Sequence, residues 1–339
     1  MSFLDHMTAW KSVALPKMAF GANPALDGGP STDHMEAGVW TKLFVAPRAA
    51  DQTMAGEPTR GEKINIGGRS LRLVRAGTPS PDRPTIVFEC GAFGCAADWS
   101  VVQDRLAKRG CYSIAYDRAG LGYSDPGPEP RDGAAIAADL EDLLAHAGET
   151  GPFLMVGHSM AGLLLRVFVG RNRARVVGVV LVDAVTPEAI EAPVAARAIH
   201  TYRHAMKLVG AWSGSGFMKP VSMVMGDMIG LEGEAHDEKR RIYGSPIHTR
   251  WAAAEVVQWP ETSAQGRELG LFDPALPIAV VTAGGEKLAP AVKDLQTAPA
   301  RASNNGYVAH VAGANHASLL GKNFADPILD GIDHVLAAA

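Results

Sequence analysis

The stretch FLMVGHSMAGLLLRVF, residues 153–168, decides how this chain is read. An apolar run meets a tight turn, and a second apolar run follows, so the stretch reads as a buried strand feeding directly into a buried helix. Ser159 stands at the tip of the turn. Gly157 and Ala161 flank it two residues away on either side, and Gly162 follows. A sharp strand-to-helix turn crowds those positions, so only small side chains fit there. A buried strand entering a buried helix has little structural use for a hydroxyl. In α/β sheets functional groups collect just beyond the carboxyl ends of the strands, which is where Ser159 falls. It is the expected nucleophile, on an elbow of the G-x-S-x-A form.

A regular rhythm extends outward from this elbow. EKINIGG and SLRLVRAG, from residue 62, alternate apolar and polar residues about a Gly-Gly turn and predict a hairpin. TIVFEC (85–90) and YSIAYD (112–117) are short apolar runs suited to strands buried on both faces. Trp99, Val102 and Leu106, and later Ile136, Leu140, Leu143 and Leu144, recur at helical spacing and run up to a glycine stop. VVGVVLVD (176–183), PIAVVTAG (277–284) and YVAHVAG (307–313) complete the strand-like runs. Strand alternating with helix predicts an α/β fold with a mostly parallel sheet and helices on both faces, built from residues 62–184 and 274–339. Between Val185 and about Asp273 no strand-like run occurs and Met and Trp are dense. A plain loop of that length is uncommon, so residues 185–273 are expected to form an inserted helical cap. Residues 1–61 are rich in Gly, Pro and Asp yet carry Trp10, Phe20, Trp40 and Phe44; they are expected to pack as an extension on the body or on a second subunit.

Composition narrows the function classes. The 339 residues are 47% apolar, enough for a large core, and the formal net charge of -4 offers no footprint for nucleic acid. Cys90, Cys95 and Cys111 give neither metal-ligand spacing nor a disulfide framework. No apolar run approaches the roughly 18 residues that a membrane span needs, so no transmembrane segment is expected. The first residues lack a charged segment followed by an uninterrupted apolar one, so no signal peptide is expected and the cytoplasm is the expected compartment. No cofactor and no metal are expected. Monomer and homodimer both stay open.

A serine hydroxyl is a poor nucleophile without a base in hydrogen-bond reach. Of the eleven histidines, His316 fits best, in the loop VAGANHASLL after the last strand-like run. His310 lies inside that run and is expected to be packed. His158 is expected to point away from the nucleophile and to shape the pocket or pack. His200 and His204 share a helix face at i, i+4, which reads as a polar face because no further ligand accompanies them. Two residues are candidates for the acid that orients the base. Asp183 ends VVGVVLVD at the carboxyl edge of its strand and is the leading choice, with capping of the next helix as its plainer role. Glu286, after PIAVVTAGG, is the alternative. Acyl transfer also needs two amides aimed at the developing oxyanion. Met160, directly after the nucleophile, supplies one. The small-residue loop CGAFG (90–94) supplies the other, from Ala92 or alternatively Phe93.

The order of strand, small-residue loop, YDRAGLGYSD, GHSMAG, LVD, cap and GANHASL resembles the α/β-hydrolase superfamily, and is most similar to its capped bacterial carboxylesterase-like members. The likeness covers roughly residues 62–339. It implies that Ser159 attacks a carbonyl, that His316 shuttles the proton, and that an acyl-enzyme forms and is released by water. Many relatives have His-Gly before the oxyanion residue; here it is Cys90-Gly91, preceded by Glu89, which changes what supports that loop. Relatives that open epoxides or cleave carbon–halogen bonds carry aspartate at the nucleophile position, and the serine argues against both.

The expected function is therefore hydrolysis of carboxylic esters with apolar groups. Amidase, C–C bond hydrolase, thioesterase and perhydrolase use the same triad and remain alternatives; a silent binding protein of the same fold is the reading from another class. The cap is expected to set substrate range, with Met223, Met225 and Met228, together with Phe93 and His158, at an apolar pocket favouring medium or bulky esters over acetate.

Overall fold

The computed structural model describes residues 56–215, 228–284 and 290–339. Its framework is an eight-stranded sheet in the order β1-β2-β4-β3-β5-β6-β7-β8. The strands are β1 (Glu62–Asn65), β2 (Ser70–Ala76), β3 (Thr85–Glu89), β4 (Ser113–Tyr116), β5 (Phe153–His158), β6 (Val176–Val182), β7 (Ile278–Ala283) and β8 (Gly306–Val311). β1 and β2 form an antiparallel hairpin and β2 joins β4 antiparallel; every pairing from β4 to β8 is parallel.

Alternation along the strands divides the core in two. Leu154 and Val156 of β5, Val180 and Val182 of β6, and Ala279 and Val281 of β7 face one side. Phe153 and Met155, Val179 and Leu181, and Ile278 and Val280 face the other. Because successive side chains leave a strand on opposite faces, a strand covered on both sides must be apolar throughout, as β5 and β7 are. Helices α1 (Ser100–Lys108) and α10 (Asp326–Ala338) bury their apolar stripes on the first face. Helices α2 (Gly133–His146) and α3 (Ala161–Arg171) cover the second, with Ala300 of α9 (Pro290–Ala302) beside them. The edge strand β8 has the different pattern expected of a strand with one neighbour: Tyr307, Ala309 and Val311 pack on the core while Gly306, Val308 and His310 are exposed. His310, expected to be packed, is thus at the solvent-facing edge, where Thr282 Oγ1 lies 2.6 Å from its Nδ1.

Between β6 and β7 the described chain is helical: α4 (Pro187–Glu191), α5 (Pro193–Trp212), α6 (Gly233–Tyr243), α7 (Pro246–Val257) and α8 (Trp259–Glu268). Proline stands in the first turn of α4, α5, α7 and α8, where its missing N–H leaves no unmet bond. Thr186, not Asp183, caps α4, accepting from the Ala189 amide at 3.2 Å. Among the described residues no helix is long and apolar enough to cross a membrane. Of the proposed extension only residues 56–61 are described; Phe217, Met218, Met223, Met225 and Glu286 lie outside the described residues.

Candidate active site

Four loops beyond the carboxyl ends of the strands, after β3, β5, β6 and β8, build the site. Among the described residues, three non-glycine residues have a positive φ: Phe93 at 58°, Ser159 at 60° and Asp183 at 42°. Each follows a parallel strand (β3, β5 and β6), and such a conformation persists only where the surroundings impose it. At the elbow the crowding is direct. A Cβ on Gly157 would lie 2.9 Å from that of Ala161, and one on Gly162 would lie 2.2 Å from the Val185 carbonyl. The elbow is closed by two amides, of Gly162 and Val185, that donate to the Ser159 carbonyl at 3.2 and 2.9 Å.

His316 arrives from the loop after β8. Its Nε2 lies 2.9 Å from Ser159 Oγ, and its Nδ1 lies 2.7 Å from Asp183 Oδ2. With Nδ1–H donating to the carboxylate, Nε2 keeps a lone pair for the serine proton. All three side chains are buried. Burial alone would push the Asp183 carboxyl up, but the hydrogen bond from His316 and that ring's charge outweigh it and hold the acid below its ordinary range. The second oxygen of Asp183 accepts from the Ala283 amide and from Gln296 Nε2, both at 3.3 Å. Asp183 therefore reaches His316; Glu286, its rival in the sequence, lies outside the described residues.

His158 packs against the loop that carries His316. Its ring sits 4.5 Å, centroid to centroid, from that of His316 and donates through Nε2 to the His316 carbonyl at 2.9 Å. Burial, reinforced by the His316 charge, brings His158 down to about 3, so it stays neutral and keeps one donor for that carbonyl. It steadies the loop carrying His316. His200 and His204 stack edge to face at 4.1 Å, and among the described residues no group of three metal-ligating side chains forms around them or elsewhere.

The loop after β3 runs against Ser159: a Cβ on Gly91 would stand 2.9 Å from Ser159 Cβ. Only glycine allows that approach. Ala92 and Phe93 are the half-buried members of this loop, and among the described residues no hydrogen bond takes up the Ala92 or the Met160 amide. Ala92, Phe93 and Met160 join one apolar cluster with Ile199, Met206, Val256 and Trp259 of the insertion. Met228 is half-buried just before α6, followed by Ile229 and Leu231, which pack in the core beside the His316 loop.

Sequence reasoning missed the residues that hold these loops. Gln296 acts on Asp183 from 113 positions away. Arg118, in YDRAGLGYSD, is 1% exposed and bonds the carbonyls of Cys90 and Gly91. The one available signal was an arginine and a glutamate (Glu89) embedded in apolar runs, a combination that requires a buried partner.

Residues 84–206 match the model of the α/β hydrolase fold family. A protein of Gibberella zeae described as an AB hydrolase superfamily protein is 35% identical over 109 residues, which are 31% of this chain and 34% of that protein. The chain spans between 13% and 39% of the lengths of the curated relatives it matches. Among solved structures, a thermophilic esterase from Thermogutta terrifontis superposes with a TM-score of 0.62 at 22% identity, covering 82% of this chain and 100% of that one. The Cif epoxide hydrolase from Acinetobacter nosocomialis superposes with a TM-score of 0.63 at 17% identity, covering 92% of this chain and 100% of that one.

Proposed function

From the match of residues 84–206 to the α/β hydrolase fold family, we propose that this chain is a serine hydrolase of the α/β-hydrolase superfamily, cleaving carboxylic esters with apolar groups. The observation that carries this reading is the continuous line from Ser159 Oγ through His316 to Asp183, at 2.9 and 2.7 Å. A hydroxyl in that position loses its proton to Nε2 as Oγ attacks the ester carbonyl carbon. The carbonyl π pair moves onto oxygen, where the amides of Ala92 and Met160 receive the charge. Collapse of this intermediate expels the alcohol, which takes the proton from the imidazolium. Water, deprotonated by the same imidazole, then attacks the acyl-serine and returns Ser159 to its starting state.

Two features support the ester over other reactions of this fold. A serine, not an aspartate, occupies the elbow, and this sets the chain apart from the epoxide-opening pattern. The apolar cluster joining Ala92, Phe93 and Met160 to the insertion favours an apolar acyl or alkyl group. The insertion, read as a cap, would then select chain length.

The test is a p-nitrophenyl ester series from acetate to decanoate. Each buried methylene contributes about 0.8 kcal/mol, so kcat/KM should rise roughly fourfold per carbon until the pocket is full. A flat series would contradict the apolar pocket. Turnover of anilides or thioesters with esters inert would move the reading to the amidase or thioesterase class.

A further inference from the structure

Resting on the assignment of Ser159 and the Ala92 amide above, we infer that helices α6 and α7 of the insertion are a built-in part of the oxyanion site. In this inference Arg118, Lys239 and His248 are positioning residues that aim the Ala92 N–H.

Three carbonyls of the loop after β3 are engaged by buried cationic or ring donors. Arg118 Nη1 donates to the Cys90 carbonyl at 2.6 Å and Nη2 to the Gly91 carbonyl at 2.9 Å. The Gly94 amide meets the Gly91 carbonyl at 3.1 Å and fills its other side. His248 Nε2 and Lys239 Nζ both donate to the Phe93 carbonyl, at 3.1 and 3.3 Å. The Gly91 carbonyl and the Ala92 N–H belong to one planar trans peptide and point in opposite directions. Pinning the oxygen against Arg118 therefore fixes the direction of the N–H. Holding the Phe93 carbonyl fixes the Phe93–Gly94 peptide, so the loop is pinned on both sides of Ala92 and across the strained Phe93, at φ 58°.

The donors are themselves held by the insertion. Glu255 of α7 takes Arg118 in a two-point grip, at 2.9 and 2.7 Å, and Glu89 at the end of β3 takes it at 2.6 Å. His248 is on α7 as well; its Nδ1 accepts from the Gly122 amide at 3.2 Å, which leaves Nε2–H to donate. Lys239, on α6, pairs with Asp98 at 2.5 Å. Arg118, Glu255, Lys239 and His248 are each at most 1% exposed. Displacing α7 would take away one donor to Phe93 and the carboxylate that orients Arg118. On this account α7 does not swing as a lid during turnover, and substrate must enter elsewhere. The same contacts answer the departure at Cys90-Gly91: the support for the loop comes from Arg118 and the insertion.

The experiment compares wild type with Glu255→Gln, His248→Leu and His248→Gln, the last keeping a donor near the position of Nε2. The readouts are kcat and KM for an apolar p-nitrophenyl ester and the inhibition constant of an alkyl trifluoromethyl ketone, whose serine adduct carries an oxyanion. Glu255→Gln and His248→Leu should lower kcat by roughly 10- to 100-fold with KM within about threefold. Inhibition by the ketone should weaken by a matching factor, and His248→Gln should recover most of both. Folded variants with unchanged kcat and ketone affinity would overturn the inference, as would parallel loss of KM and kcat without a change in ketone binding. A wild-type protein that neither turns over esters nor binds the ketone would instead overturn the assignment of Ser159.

Discussion

At Ser159 the geometry asks for a small residue and the chemistry asks for a hydroxyl, and the two requirements separate by mutation. Ser159→Ala should fold as wild type and lose around six orders of magnitude in kcat, read from burst-free progress curves with an ester substrate. Asp183→Asn should cost about four, because an amide beside Nδ1 stabilises the wrong tautomer and no longer balances the imidazolium. Gln296→Leu removes one donor from Asp183 and should lower kcat roughly tenfold at constant KM, measured with the same ester. Ser159 and His316 were legible because each sits in a local pattern: a strand, a tight turn and small neighbours for one, a loop after a strand-like run for the other. Asp183 was legible only as one of two carboxylates at strand ends, since reach to an imidazole is a distance in space. Gln296 and Arg118 left no such pattern. Their partners lie 113 and 137 residues away, and nothing local distinguishes a glutamine on a helix from its solvated equivalents.

For elements, the continuous apolar runs of β3, β5, β6 and β7 and the stripes on α1 and α2 made the sheet and much of its cover readable, because burial imposes them on the sequence directly. The contacts of the insertion were not readable. Its helices show apolar and polar positions, but which of them face the loop after β3 depends on how α6 and α7 dock. The start of α3 shows how packing overrides propensity. Alanine is favoured over glycine in a helix by about 1 kcal/mol. At Gly162, however, a Cβ would meet the Val185 carbonyl oxygen at 2.2 Å, and a backbone oxygen moves only with its chain. Gly162→Ala should therefore destabilise by about 1–3 kcal/mol, measured by urea unfolding, and stabilisation would show that the β6–α4 loop can yield.

At the scale of the whole molecule, two buried neutral histidines make folding depend on pH. Burial, aided by the charges of His316 and Lys239 respectively, holds His158 and His248 at about 3 instead of 6.5. As pH falls below about 6.5 the unfolded chain takes up a proton on each, and the folded chain does not until about 3. Stability is therefore complete above the ordinary histidine value and declines on acidification, by about 1.4 kcal/mol per pH unit for each histidine. Asp183, held below its ordinary range, adds a loss in the same direction as pH falls from the ordinary carboxyl value, where the unfolded chain takes up the proton, to its lower value in the folded state. Urea unfolding at pH 7.5, 6 and 5 should show this slope, and His248→Gln should remove about half of it; an unchanged slope would contradict the burial of a neutral His248. Activation of Ser159 by His316 is tested by labelling with an alkyl fluorophosphonate followed by intact-mass and peptide mass spectrometry. One phosphonyl adduct per chain is expected, on Ser159, absent in Ser159→Ala and slowed by several orders of magnitude in His316→Ala. An adduct on another residue, or a folded wild-type chain that stays unlabelled, would contradict it.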